Sequence, residues 1–335
     1  MTSVIGMAGV PAMAISGQSA ASNHAPADVG SPLKRLEPGS KVAIISPASG
    51  KELSADDQSR ILGRVAALGF VPVPAPNFGR TYAYLGGTDQ QRADDVNWAF
   101  ANTEIAGVMP VRGGYGCTRI LSLLNYELIR KNPKILIGYS DITALAVAIT
   151  QKTGLITYHG PVLESSDSEF SWRWMVSAIT HGFTLVEFKN PVTESQNLQL
   201  RTLVSGVSEG ELTGGNLTVL AAMCGTEYQL SSKGKIVFLE DIREAPYRID
   251  RMLTQMRESG AFDGARGFVL GQWTDCDDPE KPDAWKVEDV VRDRIASLGV
   301  PVLAGAAIGH IRDKWTVPIG ARARLDATEK RLRLV

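Results

Sequence analysis

The sequence predicts an α/β protein of two domains: a parallel-sheet, Rossmann-like N-terminal domain followed by a second, smaller α/β C-terminal domain. Three observations carry that prediction. Short apolar runs alternate with stretches whose apolar residues recur at helical spacing, the order that a parallel sheet with crossover helices requires. Polar, less regular sequence between Ser165 and Val204 separates two such series. Finally, 335 residues, 44% of them hydrophobic, suit two cores better than one. The expected organisation is a leader over residues 1–32, a first domain over 33–164, a connection over 165–204 and a second domain over 205–335.

In the first domain, Lys41 to Ser46 (KVAIIS) reads as a strand ending in the turn Pro47-Ala48-Ser49-Gly50. Ile61, Leu62, Val65 and Leu68 form a helix stripe, and Asp56 and Asp57 suit its positive first turn. Phe70 to Val73 is a second strand. A loop carrying Tyr82, Tyr84 and Gly86-Gly87 then leads to a helix marked by Ala93, Val96 and Phe100. Ile105 to Val111 is a third strand running into Arg112-Gly113-Gly114-Tyr115-Gly116; three glycines in five residues suit backbone that approaches a ligand closely. The fourth strand is Ile135-Leu136-Ile137, apolar as a strand buried on both faces would be. From Asp141 the pattern turns helical through Ile142, Leu145, Ala146 and Ile149, and a fifth strand begins at Ile156.

Within the connection, Phe170 to Ile179 predicts a helix. In the second domain Gly214-Gly215-Asn216 opens a helix through Leu217, Leu220, Ala221 and Cys224. Lys235 to Leu239 is a strand ending in Glu240-Asp241, and Ile249, Met252, Leu253 and Met256 form an amphipathic helix. Ala265 to Gln272 is a strand, Val287 to Ile295 a helix and Pro301 to His310 a further apolar run. A hairpin from Ala321 to Val335 closes the chain.

Composition excludes some functions. The net charge is −1, from 35 basic and 36 acidic residues without long runs of either sign, which argues against nucleic acid or an anionic membrane as the main partner. Cys117, Cys224 and Cys276 have no metal-ligand spacing, and an odd number cannot pair fully within one chain. The leader is poor in large apolar residues and rich in Ser, Ala, Gly and Pro. It contains an Ala12-Met13-Ala14 triplet but no Lys or Arg before Lys34, so it reads as disordered rather than as a regular export signal. A cytoplasmic location follows, or a periplasmic one if the leader is an atypical signal.

Ser140 lies in a tight strand-to-helix turn, with Gly138 two residues earlier to relieve crowding. Such a turn exposes a hydroxyl and aims the first helical N–H groups at whatever the oxygen attacks. Ile142 stands where a nucleophile elbow would have its second glycine, and a structural serine N-cap fits the same residues. A serine nucleophile needs a base. His24 lies in the leader and His181 follows the connecting helix, leaving His159 and His310, each after an apolar run and each beside a glycine. Glu240 and Asp241 come at a strand end, where a carboxylate is either solvated or held by a partner.

Arg112-Gly113-Gly114-Tyr115-Gly116, Gly138-Tyr139-Ser140-Asp141-Ile142-Thr143-Ala144-Leu145 and His159-Gly160-Pro161 resemble the N-terminal half of the serine LD-carboxypeptidase family, which also includes the microcin C immunity peptidases. Gly214-Gly215-Asn216-Leu217, Leu239-Glu240-Asp241, the stretch Pro246 to Leu253, Gly309-His310 and Pro318-Ile319-Gly320 extend the resemblance, in order, over about 300 residues from Lys41. Cys117 departs from the small hydroxyl or alanine expected there.

The resemblance implies Ser140 as nucleophile, Glu240 as orienting acid and His310 as base, with His159 structural. It also implies an oxyanion hole from the backbone N–H groups of Asp141 and Gly114. The implied activity is hydrolysis of the L-D amide bond to the terminal D-Ala of muropeptide tetrapeptides in peptidoglycan recycling, by a homodimer without metal or cofactor. An exopeptidase must also recognise a free carboxylate, and Arg112, at the head of the glycine loop, is a candidate cation unless a neighbouring acid claims it. Two alternatives stand beside this reading. A microcin-immunity-like peptidase would cleave aminoacyl-nucleotide conjugates, with Trp172 or Trp174 stacking on a base, and a non-catalytic small-ligand binding protein would use the same crevice.

Residues 1–32 lack the apolar content to pack. A chain beginning at Leu33 is therefore expected to keep both turnover and melting temperature, as differential scanning calorimetry and a peptide assay would show.

Overall fold

The computed structural model describes residues 35–182, 186–193, 196–277, 280 and 284–335; the leader expected over residues 1–32 lies outside these. The first half alternates as anticipated: β1 (Lys41–Ile45), α1 (Ala55–Ala67), β2 (Val71–Pro74), α2 (Asp89–Ala101), β3 (Ile105–Pro110), α3 (Tyr126–Lys131), β4 (Ile135–Leu136), α4 (Thr143–Thr153) and β5 (Thr157–His159). Strands β2-β1-β3-β4 form one parallel sheet in that order. Local chemistry starts the helices where the sequence turns helical. The Ser54 hydroxyl accepts from the Asp57 N–H before α1, and Thr88 and Gln91 close a capping box on α2.

The segment expected as a connection contains α5 (Glu169–Thr180), the short strands β6 (Val192–Thr193) and β7 (Gln196–Asn197), and β8 (Arg201–Val204). The second half continues with β9 (Val207–Asn216), α6 (Leu217–Ala222), β10 (Lys235–Ile242), α7 (Pro246–Glu258), β11 (Gly267–Thr274), α8 (Val287–Arg294), β12 (Val302–Ala304), β13 (Val317–Ile319), β14 (Arg322–Asp326) and β15 (Arg331–Leu334). Seven strands make its sheet, in the order β15-β14-β9-β10-β11-β12-β8: a parallel centre, β9 to β12, with antiparallel strands on both flanks. Among the described residues no helix is long and apolar enough to cross a membrane.

Three differences from the sequence expectation position the site. Glu240 and Asp241 lie inside β10 rather than beyond it, paired with Asn216 on β9 and Trp273 on β11 respectively. The apolar run toward His310 stops being strand at Ala304: Gly305 and Gly309 take φ of +84° and +118°, which turns the chain into a loop that carries His310. And β5 pairs antiparallel with β13, Val317 opposite His159 and Ile319 opposite Thr157, joining the first half to the second; an isolated bridge, Ile137 to Tyr158, links it to the first sheet.

The glycine loop is held from below by one buried guanidinium. Arg92, 1% exposed, donates to the carbonyls of Pro47, Gly87 (3.3 Å) and Gly116 (2.9 Å) and pairs with Asp89, so a single side chain ties three loops at the sheet's carboxyl edge. Arg92→Met fills the space but leaves these acceptors without their donor. It is expected to cost about 2–4 kcal/mol, read from urea unfolding.

Candidate active site

Ser140 sits where the sheet's last parallel strand meets a helix, and its backbone is strained: φ is +61°, a region that residues with a side chain rarely enter. A 3-10 turn, Ser140–Ile142, precedes α4, so the regular helix starts two residues later than the apolar pattern suggests. Gly138 is required by this turn, because a Cβ there would lie 2.8 Å from Ile142 Cγ2. Ile142, fully buried, therefore fills the turn from the side where a second glycine was expected to leave space. Strand, strained serine and helix make a nucleophile elbow crowded on one side.

Asp141 does not simply favour the helix start. Its carboxylate is buried and accepts the Cys117 N–H at 2.8 Å, which fastens the end of the glycine loop to the elbow. Burial pushes the Asp141 carboxyl up, and the Cys117 N–H partly opposes that rise. Burial, with Asp141 next to it, pushes the Cys117 thiol well above its ordinary value, so that sulfur stays a packed thiol. Gly113 faces the elbow directly: a Cβ on it would lie 2.9 Å from Ser140 Cβ and 3.4 Å from the Asp141 nitrogen. Gly114, with φ of +115°, lies against Ser49, whose hydroxyl oxygen accepts the Tyr115 N–H.

Glu240 is 0% exposed, and its Oε2 lies 2.8 Å from His310 Nδ1. Burial alone would push this carboxyl up; the His310 and His159 imidazoles outweigh it and hold the group below its usual range. Two glycines make room for the pair. A Cβ on Gly309 would lie 2.7 Å from Glu240 Oε2, and one on Gly271 would lie 3.2 Å from Glu240 Cβ. The neighbouring Asp241 faces elsewhere, accepting from Asn216 Nδ2, the Thr218 hydroxyl and the Thr218 N–H.

The two candidate histidines thus differ. His310 Nδ1 is occupied by Glu240, leaving Nε2 for the cavity. His159 is 1% exposed, and neither ring nitrogen has a hydrogen-bond partner among the described residues. Its ring lies edge-on to Tyr139 (6.1 Å) and Phe238 (5.3 Å). Burial pulls its pKa down to about 4, so at neutral pH it is an uncharged packing residue.

A cavity of ≈510 Å³ opens over the elbow, with Arg112, Gly113, Gly114, Tyr139, Ser140 and His310 in its wall. The structure therefore brings Ser140 and His310 to one cavity and sets Glu240 behind His310. Lys51, Arg60 and Glu164, with Val162 and Ser165, also line the wall, and the sequence gives no local sign of the three charged residues, because they meet only once the chain is folded. Glu164 lies 2.9 Å from Lys51 Nζ, 3.4 Å from Arg60 and 3.8 Å from Arg112 Nε, and Asp57 lies 2.9 Å from Arg60 and 3.7 Å from Lys51, so three cations meet two carboxylates and one positive charge is left over. Trp172 and Trp174 lie outside this cavity: Trp172 is covered by the Arg64 guanidinium at 5.1 Å and Trp174 stacks on Phe170 at 5.8 Å.

Family models for the LD-carboxypeptidase N-terminal domain and C-terminal domain match residues 42–160 and 209–325. The chain is 36% identical over 305 residues to a protein of Bacillus subtilis named "Probable murein peptide carboxypeptidase", covering 89% of this chain and 92% of that one. It is 30% identical over 291 residues to the microcin C7 self-immunity protein MccF of Escherichia coli, covering 79% and 83%. The crystal structure of a muramoyltetrapeptide carboxypeptidase from Oxalobacter formigenes superposes with a TM-score of 0.75 at 29% identity, over 88% of this chain and 97% of the other.

Because His159 binds a proton less readily when folded, its contribution to stability is complete above pH 6.5 and is lost as the pH falls toward 4. Over that window wild type should lose about 3 kcal/mol more than His159→Leu, measured by denaturant unfolding at a series of pH values.

Proposed function

The chain belongs to the LD-carboxypeptidase family, and from that premise we propose that it is a serine carboxypeptidase releasing D-alanine from the C-terminus of murein tetrapeptides. The observation that carries the reading is the bonded pair His310–Glu240 behind a cavity whose wall contains the strained Ser140. His310 Nε2 takes the Ser140 proton as Oγ attacks the carbonyl carbon of the scissile amide. The Asp141 and Gly114 N–H groups hold the oxyanion, in space that Gly113 keeps open by having no side chain. Collapse of the tetrahedral intermediate breaks the C–N bond; His310 returns the proton to the departing amine, and D-alanine leaves. Water, deprotonated by His310, then hydrolyses the acyl-enzyme. Glu240 keeps the imidazole in the tautomer with Nε2 free and stabilises its charged form.

Arg112 is the proposed partner of the substrate's terminal carboxylate. Its distance from Glu164 is long for an ion pair, and its side chain is 40% exposed, so it can turn to a second anion. The preference for an L-D bond rests on the family's description and the murein peptide substrate on the names of relatives, and a role in peptidoglycan recycling is part of the same proposal.

Two peptides that differ only at the end, free D-Ala against its amide, test the reading. Cleavage of the free acid at least about tenfold faster in kcat/KM is expected; equal cleavage would make the protein a broader amidase. Arg112→Ala should narrow the difference mainly through KM. Ser140→Ala should lower kcat by about 10³-fold or more with an unchanged melting temperature. Hydrolysis of an aminoacyl-adenylate conjugate in place of the tetrapeptide would move the chain toward the MccF-like alternative.

A further inference from the structure

One buried ion pair joins the loop of His310 to the first half of the chain. Lys314 Nζ lies 2.7 Å from Asp167 Oδ1, with side chains 1% and 4% exposed. The same ammonium stands over the face of Tyr139, 3.9 Å from the ring centroid. Tyr139 precedes Ser140, and the centroid of its half-buried ring lies 4.8 Å from that of His310. Asp167, Lys314, Tyr139 and His310 thus touch in sequence, from a loop of the first half, through the His310 loop, to the elbow and back to the imidazole.

The His310 loop does not need this pair to stay closed. Arg312 carbonyl oxygen accepts from the Ser168 N–H (3.0 Å) and the Ser171 hydroxyl (2.9 Å), and the Lys314 N–H donates to Ser171 Oγ (2.8 Å). The Trp315 N–H donates to the Ala307 carbonyl on the other side. A buried ion pair is a poor fastener, since taking both charges out of water offsets most of their attraction, and apolar residues of the same size would hold as well. Asp167 Oδ2 has no hydrogen-bond partner among the described residues. What an apolar pair would not supply is a cation above the electron-rich ring face that neighbours His310.

We propose that Lys314 is a positioning residue for the reaction. Held by Asp167, its ammonium fixes the tilt of the Tyr139 ring, and the ring fixes the imidazole of His310 at the angle where Nε2 meets the Ser140 hydroxyl. Glu240 sets the imidazole from its Nδ1 edge; Tyr139, under Lys314, sets it from its face. This rests on the serine-hydrolase reading of the same site.

Lys314→Met alone leaves Asp167 buried and unpaired, so the test uses Lys314→Met with Asp167→Asn, and separately Tyr139→Leu, in the full chain. Each is measured by melting temperature, by kcat and KM on a tetrapeptide ending in D-Ala, and by the rate of Ser140 labelling with a fluorophosphonate probe. The paired variant should melt within a few degrees of wild type, lose about 10- to 100-fold in kcat with KM held within about twofold, and label more slowly by a similar factor. Tyr139→Leu should do the same, and the three substitutions together should lose no more than either set alone. Wild-type kcat and labelling rate in either folded variant, or losses that simply multiply, would overturn the inference while leaving the hydrolase reading intact. A wild-type chain that does not label at Ser140 and does not turn over the peptide would overturn both.

Discussion

A carboxylate with no exposure must have a partner, and the pair Glu240–His310 is the contact to which much of this architecture answers. Glu240 lies within a strand flanked by β9 and β11, where any residue larger than glycine at 271 or 309 would occupy its space. The positive φ of Gly309 lifts the next residue, His310, off the course of the strand and turns it back over Glu240. Burial would protonate a lone glutamic acid; the adjacent imidazoles keep it ionised. The second imidazole, His159, is itself kept uncharged at neutral pH, since burial lowers its affinity for a proton.

That pair belongs to the second half of the chain and Ser140, the proposed nucleophile, to the first, so the register between the halves decides whether the site exists. It is fixed by contacts too close to slide. The Asn216 N–H donates to Thr143 Oγ1 at 3.1 Å, and a Cβ on Gly215 would strike the same threonine at 2.5 Å. Strand β5 from one half pairs with β13 from the other, and Gly160 lies against Thr316 with space for no side chain. Thr143 opens the helix that follows Ser140, and Asn216 is paired with Glu240 on the sheet. A contact of two residues thus connects the elbow to the acid, which explains why glycine and small hydroxyl residues gather where the halves meet.

The fold class was legible because burial on both faces leaves its mark in composition: β1, β3 and β10 are nearly continuous apolar runs. Strand β9 was not legible, although it lies inside the second sheet. Its residues Val207 to Asn216 are polar and hold three glycines, and the structure gives the reason: a Cβ on Gly214 would lie 1.9 Å from the Phe238 carbonyl oxygen, and one on Gly210 would lie 2.5 Å from that of Gly234. Close approach of backbones erased the hydrophobic signal. Ser140 and His310 were legible as residues close after a glycine at the ends of apolar runs and Glu240 as a carboxylate at the end of another, but choosing His310 over His159 needed the resemblance, since both histidines share that local pattern. Lys51, Arg60 and Glu164 carry no such pattern at all.

Those three residues change how the cavity must be understood. Glu164, with its side chain only 14% exposed, draws Lys51 and Arg60 inward, and Arg112 remains at 3.8 Å, the most loosely held of the three. Asp57, 2.9 Å from Arg60 and 3.7 Å from Lys51, supplies a second carboxylate, so two carboxylates among three cations leave about one positive charge, and in a partly enclosed cavity such a charge attracts an anion more strongly than it would in bulk water. Glu164 and Asp57 also reduce the repulsion among these cations. In the proposed reading, a peptide ending in a free carboxylate meets a wall with an excess of positive charge, while its scissile carbonyl faces the elbow that Gly138 and Ile142 shape. On that same reading, specificity for the chain end and reactivity at the bond therefore come from different elements, chiefly the Arg112 loop after β3 for the first and the turn after β4 for the second.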